Sequence, residues 1–519
     1  MTIKTHRREF LKAFLIALAA PFISRAAANS QNSPTLTAIS TSQNPTIIEN
    51  QKPGTTDWQL TNPATKREIE GYASLTSVNR GGEIKLFVNT KSPHYTLEIF
   101  RTGWYNGLGA RRITEPIVRQ GIRQPPPIEE QASGLIECNW KDPYLLKIPN
   151  SAGEWTSGVY LVKLTASKTG KQSYIIFVVR DDKRKSDILF QSSVTTFQAY
   201  NNWGFKSLYR WNSRGKQAYK VSFNRPYAIS PNPAAAYGVG AGEFLTNVQP
   251  KRRTSSAGWE YNMVRWLEKE GYDVTYATDI DTHFNPDLLL SHKAFLVVGH
   301  DEYWSWDMRQ NIEAARNEGV SIGFFGSNIC YWQIRLEPSR IAGGVNRTIV
   351  AYKELASLDP FGEVLASTSD PRVTTLWRDK AVGLPEDALI GVMQETFQVN
   401  SDIVIDGGAP DWLLEKTRLK KGDKLTGLLG YEVDRMFGNA PKNIVRVAHS
   451  PYSYKGRTRY ADMTVYTAAS GATVFATGSM QWTWGLDDYN APQLRPSRLN
   501  SGSQQITRNV LAKMIKKSH

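Results

Sequence analysis

The sequence predicts two architectures in one chain, β first and α/β after it: an N-terminal β-sandwich, then a domain built on a parallel sheet. Three observations predict this. Residues 57–185 contain short runs that alternate apolar and polar residues between glycine- and asparagine-rich turns. Residues 186–519 contain fully apolar runs that alternate with helical patterns closed by glycine. The chain has 519 residues, more than a single core usually serves.

The elements follow in order. Residues 1–28 read as a leader: "THRREFLKAFLIALAAPFISRAAA" has a basic start, an apolar stretch at 13–23 and small residues at Ala26–Ala28. The stretch is too short to span a bilayer. Arg7-Arg8 followed by Glu9-Phe10-Leu11-Lys12 matches a twin-arginine export signal, which serves proteins that fold before crossing. The mature protein is therefore expected in the periplasm or otherwise exported, with no stable membrane span after cleavage. Residues 29–56, rich in Ser, Thr, Asn, Gln and Pro, read as a flexible linker.

From 57 to 185 the runs "EIKLFVNT", "YTLEIFR", "GVYLVKLTA" and "QSYIIFVV" are separated by "NRGGE" and "NSAGEWTSG", the pattern of an Ig-like sandwich. The glycine-aromatic stretch "RTGWYNGLGARR" (101–112) reads as a packed turn, with a role in shaping a cleft with the next domain as the other reading. Beyond 186, "DILFQSS", "YDVTYAT", "HKAFLVVGH" and "VSIGFFGSN" are buried strands. "YNMVRWLEKEG" and "WDMRQNIEAARNEG" are helices ended by glycine, "ATVFATGSMQWTWG" (472–485) a further strand and "QQITRNVLAKMIKK" a closing helix. Alternation at this spacing predicts a parallel sheet of the flavodoxin or glutamine-amidotransferase kind. Residues 345–465, with short strands and many turns, read as a β-rich insertion decorating it.

Composition narrows the function classes. Apolar residues make up 40% and charged residues 21%, a globular balance and not a disordered one. The net charge is +15, but the basic runs Lys183–Lys185 and Lys251–Arg253 fall in separate loops without interleaved aromatics. They read as solvated surface, and nucleic acid is not expected as a partner. Cys138 and Cys330 are the two cysteines. They can form neither a disulfide scaffold nor a thiolate metal cage, and read as buried free thiols.

The chemistry should sit where strands of an open parallel sheet end, since ligands bind outside their carboxyl ends. Four exits carry polar residues: Gln191-Ser192-Ser193, Gly299-His300-Asp301-Glu302, Gly326-Ser327-Asn328 and Gly478-Ser479-Met480-Gln481. His300 and Glu302 beside Asn328 are the candidate constellation, with Asp301 read as a helix cap. Asp279, Asp281 and His283 in "YATDIDTH" could bind a cation but read better as a turn. Residues 192–226, bearing Tyr200, Trp203, Tyr209 and Trp211, read as a lid over the cleft, whose rim is expected to hold Trp203, Trp304 and Trp332.

Six blocks, "TFQAYNNWGFKSLY", "FNRP", "GYDVTYATDID", "GHDEYWS", "FFGSNICYWQIR" and "GSMQWTWGLD", together resemble the N,N-dimethylformamidase large (beta) subunit-like family over roughly residues 60–490. The resemblance implies a hydrolase of C–N bonds in small amides, with one ferric ion held by two tyrosines and a glutamate. By position, the glutamate is Glu302 and the tyrosines are Tyr200 and Tyr209, with Tyr219 a rival for the second. His300, Asn328 and the more remote acid Glu432 are the implied catalytic groups. Phenolate and carboxylate are hard anionic donors that suit Fe3+. Such a metal could polarise an amide carbonyl and supply hydroxide, His300 or another nearby base could pass a proton to the departing amine, and Asn328 could donate to the oxyanion. The family precedent of a separate small subunit makes assembly, including a homo-oligomer, an expectation. Two other readings stand beside this one: a non-catalytic envelope protein binding glycans or amides through an aromatic cleft, and a glycan hydrolase using zinc or calcium.

Overall fold

The computed structural model describes residues 44–151, 153–249, 255–362 and 372–516. The leader at 1–28, and the linker as far as residue 43, lie outside the described residues. The protein is a mixed, β-rich α/β fold.

In the first half, strands Ile69–Ala73, Glu83–Thr90 and Tyr144–Lys147 form one sheet, and six strands including His94–Thr102, Gly158–Ala166 and Gln172–Arg180 form another. The two share a core of Leu86, Val88, Leu97, Ile99, Val162, Leu164, Ile175 and Phe177. The other face of the six-stranded sheet is also covered: Phe100, Val159, Leu161, Tyr174 and Val178 pack into the core of the second half with Tyr261, Trp266, Val274 and Tyr276. Gly158–Ala166 and Gln172–Arg180 are therefore near-continuous apolar runs because both of their faces are buried.

In the second half a seven-stranded sheet runs in the order Val274–Thr278, Ile188–Ser192, Ala294–Gly299, Ser321–Gly326, Thr473–Ala476, Arg457–Thr467, Val445–Tyr454. The first five are mutually parallel and the last two antiparallel. The helices Glu260–Lys269, Trp306–Asn317 and Ser501–Ile515 fall where helical periodicity placed them. Gly271 and Gly319 follow the first two with positive φ, as helix-ending glycines do.

Three expectations need correction. The 345–465 stretch is not only a decoration. Its hairpin Val445–Tyr454 and Arg457–Thr467 extends the main sheet, and Met393–Val404 pairs with Lys424–Arg435 as a separate ribbon. The stretch read as linker is structured from residue 44: Asn44 caps the helix Pro45–Asn50 by accepting from the Thr46 N–H at 2.9 Å and donates to the Gly271 carbonyl at 3.0 Å. An Asn followed by Pro is a helix-start signal that the polar composition masks.

The glycine-aromatic loop is a joint between the halves, well beyond a packed turn. Arg101 forms a bidentate pair with Glu268 at 2.7 and 3.0 Å, both side chains fully buried. Tyr276 also donates to Glu268 at 2.8 Å. Glu49 accepts from the Tyr105 hydroxyl at 2.8 Å and from Arg111 at 2.6 Å.

Candidate metal centre

The strands Ala294–Gly299 and Ser321–Gly326 lie side by side, with Gly299 directly opposite Gly326. A Cβ on Gly326 would collide with the Gly299 carbonyl, so only glycine lets the two exits approach this closely. The chain after Gly299 turns through His300 and Asp301, and Tyr303–Ser305 joins a small four-stranded sheet beside Trp332–Glu337. Glu302 is thereby fixed at the rim. Its N–H donates to Thr196 Oγ1 at 2.9 Å, and its carbonyl accepts from Tyr331 and Trp332, both at 2.9 Å.

The lid supplies the phenols. The helix Val194–Tyr200, wholly buried, ends at Tyr200, and the loop beyond it returns Tyr209 to stack on the Tyr200 ring with centroids 4.4 Å apart. Tyr200 Oη lies 2.8 Å from Glu302 Oε2, Tyr209 Oη lies 2.8 Å from the same oxygen, and the two phenol oxygens are 2.9 Å apart. Tyr219 is elsewhere, stacked on Tyr352 at 4.8 Å. Of the two rival tyrosines, Tyr209 is the one brought to Glu302.

Around this triangle, His300 Nε2 is 3.3 Å from Glu302 Oε2, and Asn328 Nδ2 is 3.3 Å from His300 Nε2. Burial disfavours a charged His300, but its contact with Glu302 and the field of Glu432 overcome this and raise its pKa to about 9. Glu302 Oε2 is the acceptor for a charged Nε2–H, while His300 Nδ1 and Asn328 Oδ1 are buried with no hydrogen-bond partner among the described residues. Asn328 sits at φ 53°, a left-handed position that asparagine tolerates at a strand exit. Glu432, buried on the Lys424–Arg435 strand, is raised to about 7 by burial and by the charge of Glu302, against the pull of His300. Burial would raise Glu302 too, but hydrogen bonding to His300 and the charges of His300 and Lys353 hold it below the usual range. Both Tyr200 and Tyr209 are pushed well above 10 by burial and then by the charge of Glu302.

The sequence left several neighbours unassigned. Tyr303 donates to Tyr209 Oη at 2.6 Å, and Trp332 Nε1 donates to Glu302 Oε1 at 2.9 Å. Buried Lys353 lies 3.6 Å from the Tyr209 ring centre and 3.5 Å from Tyr303 Oη. Tyr303 was findable, being next to Glu302 in "GHDEYWS", whereas a single lysine in "AYKEL" carries no signal. Asp301 does not cap the following helix. Ser305 does, accepting from the Met308 N–H at 3.2 Å, while Asp301 accepts from Gln191 Nε2 at 2.7 Å behind the site. Asp279 and Asp281 lie in a short helix start, bonded to Thr195 and to Arg180 and Ser77. Trp203 packs against Trp140 and Trp304 is fully buried, so of the three tryptophans expected at the rim only Trp332 lines the cleft. That cleft has a volume of about 570 Å³, with Trp211, Tyr331, Phe397, Tyr454 and Arg459 on its walls. Cys138 and Cys330 are both buried and free.

The donor set passes a geometric test for a metal. An octahedral cation with oxygens at about 2.0–2.1 Å places neighbouring ligand oxygens about 2.8–3.0 Å apart. The three edges of the Tyr200, Tyr209 and Glu302 triangle match that spacing. The same edges serve hydrogen bonds while the phenols keep their protons, and deprotonating two buried phenols needs a strong nearby cation. Among the described residues, no group of three or more His, Cys, Asp and Glu is arranged to hold a metal, so a metal here would draw on the tyrosines.

Fold and site together define an α/β protein whose central sheet edge and aromatic lid gather phenols and carboxylates at one point. The family described as N,N-dimethylformamidase beta subunit-like, C-terminal, matches residues 96–494, and the chain belongs to that family. Among its curated relatives are the N,N-dimethylformamidase beta subunits of Paracoccus aminophilus, 24% identical over 315 residues, and of Alcaligenes sp, 25% identical over 314 residues. Each match covers 52% of this chain and 39% of the relative, so this chain matches about two-fifths of those proteins.

Proposed function

We propose that the protein is an exported, iron-dependent hydrolase of C–N bonds in small or linear amides, with Tyr200, Tyr209 and Glu302 holding Fe3+. The observation that carries this reading is the triangle of two phenol oxygens and one carboxylate oxygen, 2.8–2.9 Å on each edge, at the floor of a cleft. Bound there, ferric iron would supply Lewis acidity toward the amide carbonyl and toward water. The chain's own groups do the rest. Glu432, lining the same cleft, takes a proton from the attacking water. Asn328 donates to the oxyanion as it forms. His300, 3.3 Å from Glu302 Oε2, gives a proton to the departing amine. Trp332 and Tyr303 orient Glu302 and Tyr209 by hydrogen bonds. The relatives are named beta subunits, which supports assembly of this chain with itself or with a smaller partner. The order of the five parallel strands, with the site beside the reversal at Ile188–Ser192, supports a flavodoxin-like reading of the second half, and the two-sheet packing supports an Ig-like one of the first.

The test is colour and turnover. Iron-loaded protein should show a visible phenolate-to-iron charge-transfer band and release amine from small amides. Tyr200→Phe should bleach the band, and Tyr219→Phe should leave it unchanged. A colourless, iron-free protein would overturn the reading in favour of a binding protein or a hydrolase using another metal.

Export is inferred from Arg7-Arg8 and the string that follows them. Among the described residues no helix is long and apolar enough to cross a membrane. Changing both arginines to lysine should leave the precursor inside the cell. Continued appearance of the mature protein outside the cytoplasm would refute the twin-arginine assignment.

A further inference from the structure

Between Tyr200 and Tyr209 the backbone makes a tight loop, with left-handed φ at Gly204 (75°) and Phe205 (68°). Such a loop turns its carbonyls inward. Three of them converge on one side chain: Arg225 Nη2 donates to the Asn201 carbonyl at 2.9 Å, and Nη1 donates to the carbonyls of Trp203 at 3.0 Å and Lys206 at 2.9 Å. Arg225 is 1% exposed, and among the described residues no carboxylate pairs with it. A buried cation with only neutral partners is costly, and here its partners are the backbone of the lid segment joining the two phenols.

Arg225 is itself held. Its neighbours Asn224 and Pro226 are pinned, the Asn224 carbonyl accepting from the Cys138 N–H at 2.8 Å and the Pro226 carbonyl from Asn201 Nδ2 at 2.9 Å. The lid's outer side is fastened as well: Trp203 Nε1 donates to Glu70 at 2.7 Å, and Arg67 lies 4.2 Å over the same ring. The inner ends of the loop meet through Asn212 Nδ2, which donates to the Tyr200 carbonyl at 2.7 Å, and through the Leu208 N–H, which donates to the Ala199 carbonyl at 3.0 Å.

We propose that Arg225 is the positioning residue of the metal centre. It gathers the 201, 203 and 206 carbonyls and so sets the separation of the Tyr200 and Tyr209 oxygens that a cation requires. It touches neither substrate nor metal, and acts through the lid backbone. Lysine cannot replace it, because three carbonyls on one side of a loop need the planar fork of a guanidinium, and an ammonium on a shorter reach cannot serve all three. The proposal rests on the assignment of Tyr200 and Tyr209 as ligands, and its test separates the two.

The experiment compares the full-length mature protein with Arg225→Lys, Arg225→Met and a control, Arg309→Met. Arg309 is equally buried and also donates to backbone carbonyls, those of Leu384 and Pro385, away from the lid. Two readouts are taken: ferric titration followed by the visible band, and the crystal structure of each variant without added metal. Arg225→Lys should weaken iron binding by about tenfold or more and move Tyr200 Oη and Tyr209 Oη out of hydrogen-bond distance, while Arg309→Met keeps both at wild-type values despite its own loss of stability. Wild-type iron affinity in Arg225→Lys, or an unchanged tyrosine pair in its structure, overturns the proposal. If the wild-type protein takes up no iron, the ligand assignment fails, and the structures still decide whether Arg225 holds the two phenols together. If Arg225→Met does not fold, Arg225→Lys carries the test.

Discussion

Glu302→Gln should abolish iron uptake while leaving the fold intact. The amide has the carboxylate's shape, so it keeps the hydrogen bond from Trp332 and lies in the same pocket between Tyr200 and Tyr209. What it loses is the negative charge shared by the three oxygens. A trivalent cation then faces two phenols whose protons are already hard to remove, because burial raises both. Iron measured by elemental analysis should fall from near one per chain to near none, and the visible band should go with it. Amide hydrolysis should drop by about a thousandfold or more, about 4 kcal/mol of transition-state stabilisation. A variant that retains stoichiometric iron would show that the carboxylate is not a ligand.

Arg101→Ala should be the most destabilising single change outside the site. Arg101 and Glu268 are both fully buried and bonded in two places. Removing one partner leaves an uncompensated buried charge, at a cost of about 3–5 kcal/mol, a large part of the roughly 5–15 kcal/mol that holds a domain together. Replacing both partners, as Arg101→Met with Glu268→Leu, should recover much of that loss, which a denaturant titration of the two variants would read. The same network makes stability fall in acid. Burial would raise the pKa of Glu49, but the charge of Arg101 and the hydrogen bonds from Arg111 and Lys52 bring it down to about 2, below its ordinary 4.5. Its contribution, on the order of 3 kcal/mol, is complete above the unfolded pKa and is lost as pH falls from about 4.5 toward 2. Glu49→Gln should flatten that part of the profile, and an unchanged acid limb would refute the assignment.

Much of the site could be read in advance because its signals are local. "GHDEY" and "FFGSN" each end an apolar run on glycine and polar residues, and adjacent parallel strands bring such ends together without any knowledge of register beyond the sheet edge. Glu302, His300 and Asn328 meet for that reason. The phenols required a longer inference, since nothing local says that a nine-residue return places Tyr209, and not Tyr219, on Tyr200. Lys353 and Arg225 were invisible as parts of the centre, because a lone cation gains its meaning only from the carbonyls and rings that tertiary structure sets around it. In the hairpin, Val445–Tyr454 largely alternates buried and exposed residues and Arg457–Thr467 begins with four exposed ones, so its pattern resembles that of a separate β unit although it continues the main sheet. Trp203 was misdirected by proximity in sequence. Three residues beyond Tyr200 the chain has already turned, and its ring faces Glu70 of the sandwich.

The strands Gly158–Ala166 and Gln172–Arg180 have no wet side, and this bears on how the chain can be cut or recombined. A fragment beginning at residue 186 would carry Tyr261, Trp266 and Tyr276 on a bare flank and would lose the counter-ion of Glu268, while the severed sandwich would bare Phe100, Leu161 and Tyr174. Neither piece could be transplanted into another protein as a self-sufficient module. Insertions and deletions at this seam should be inherited only when both flanks change in concert.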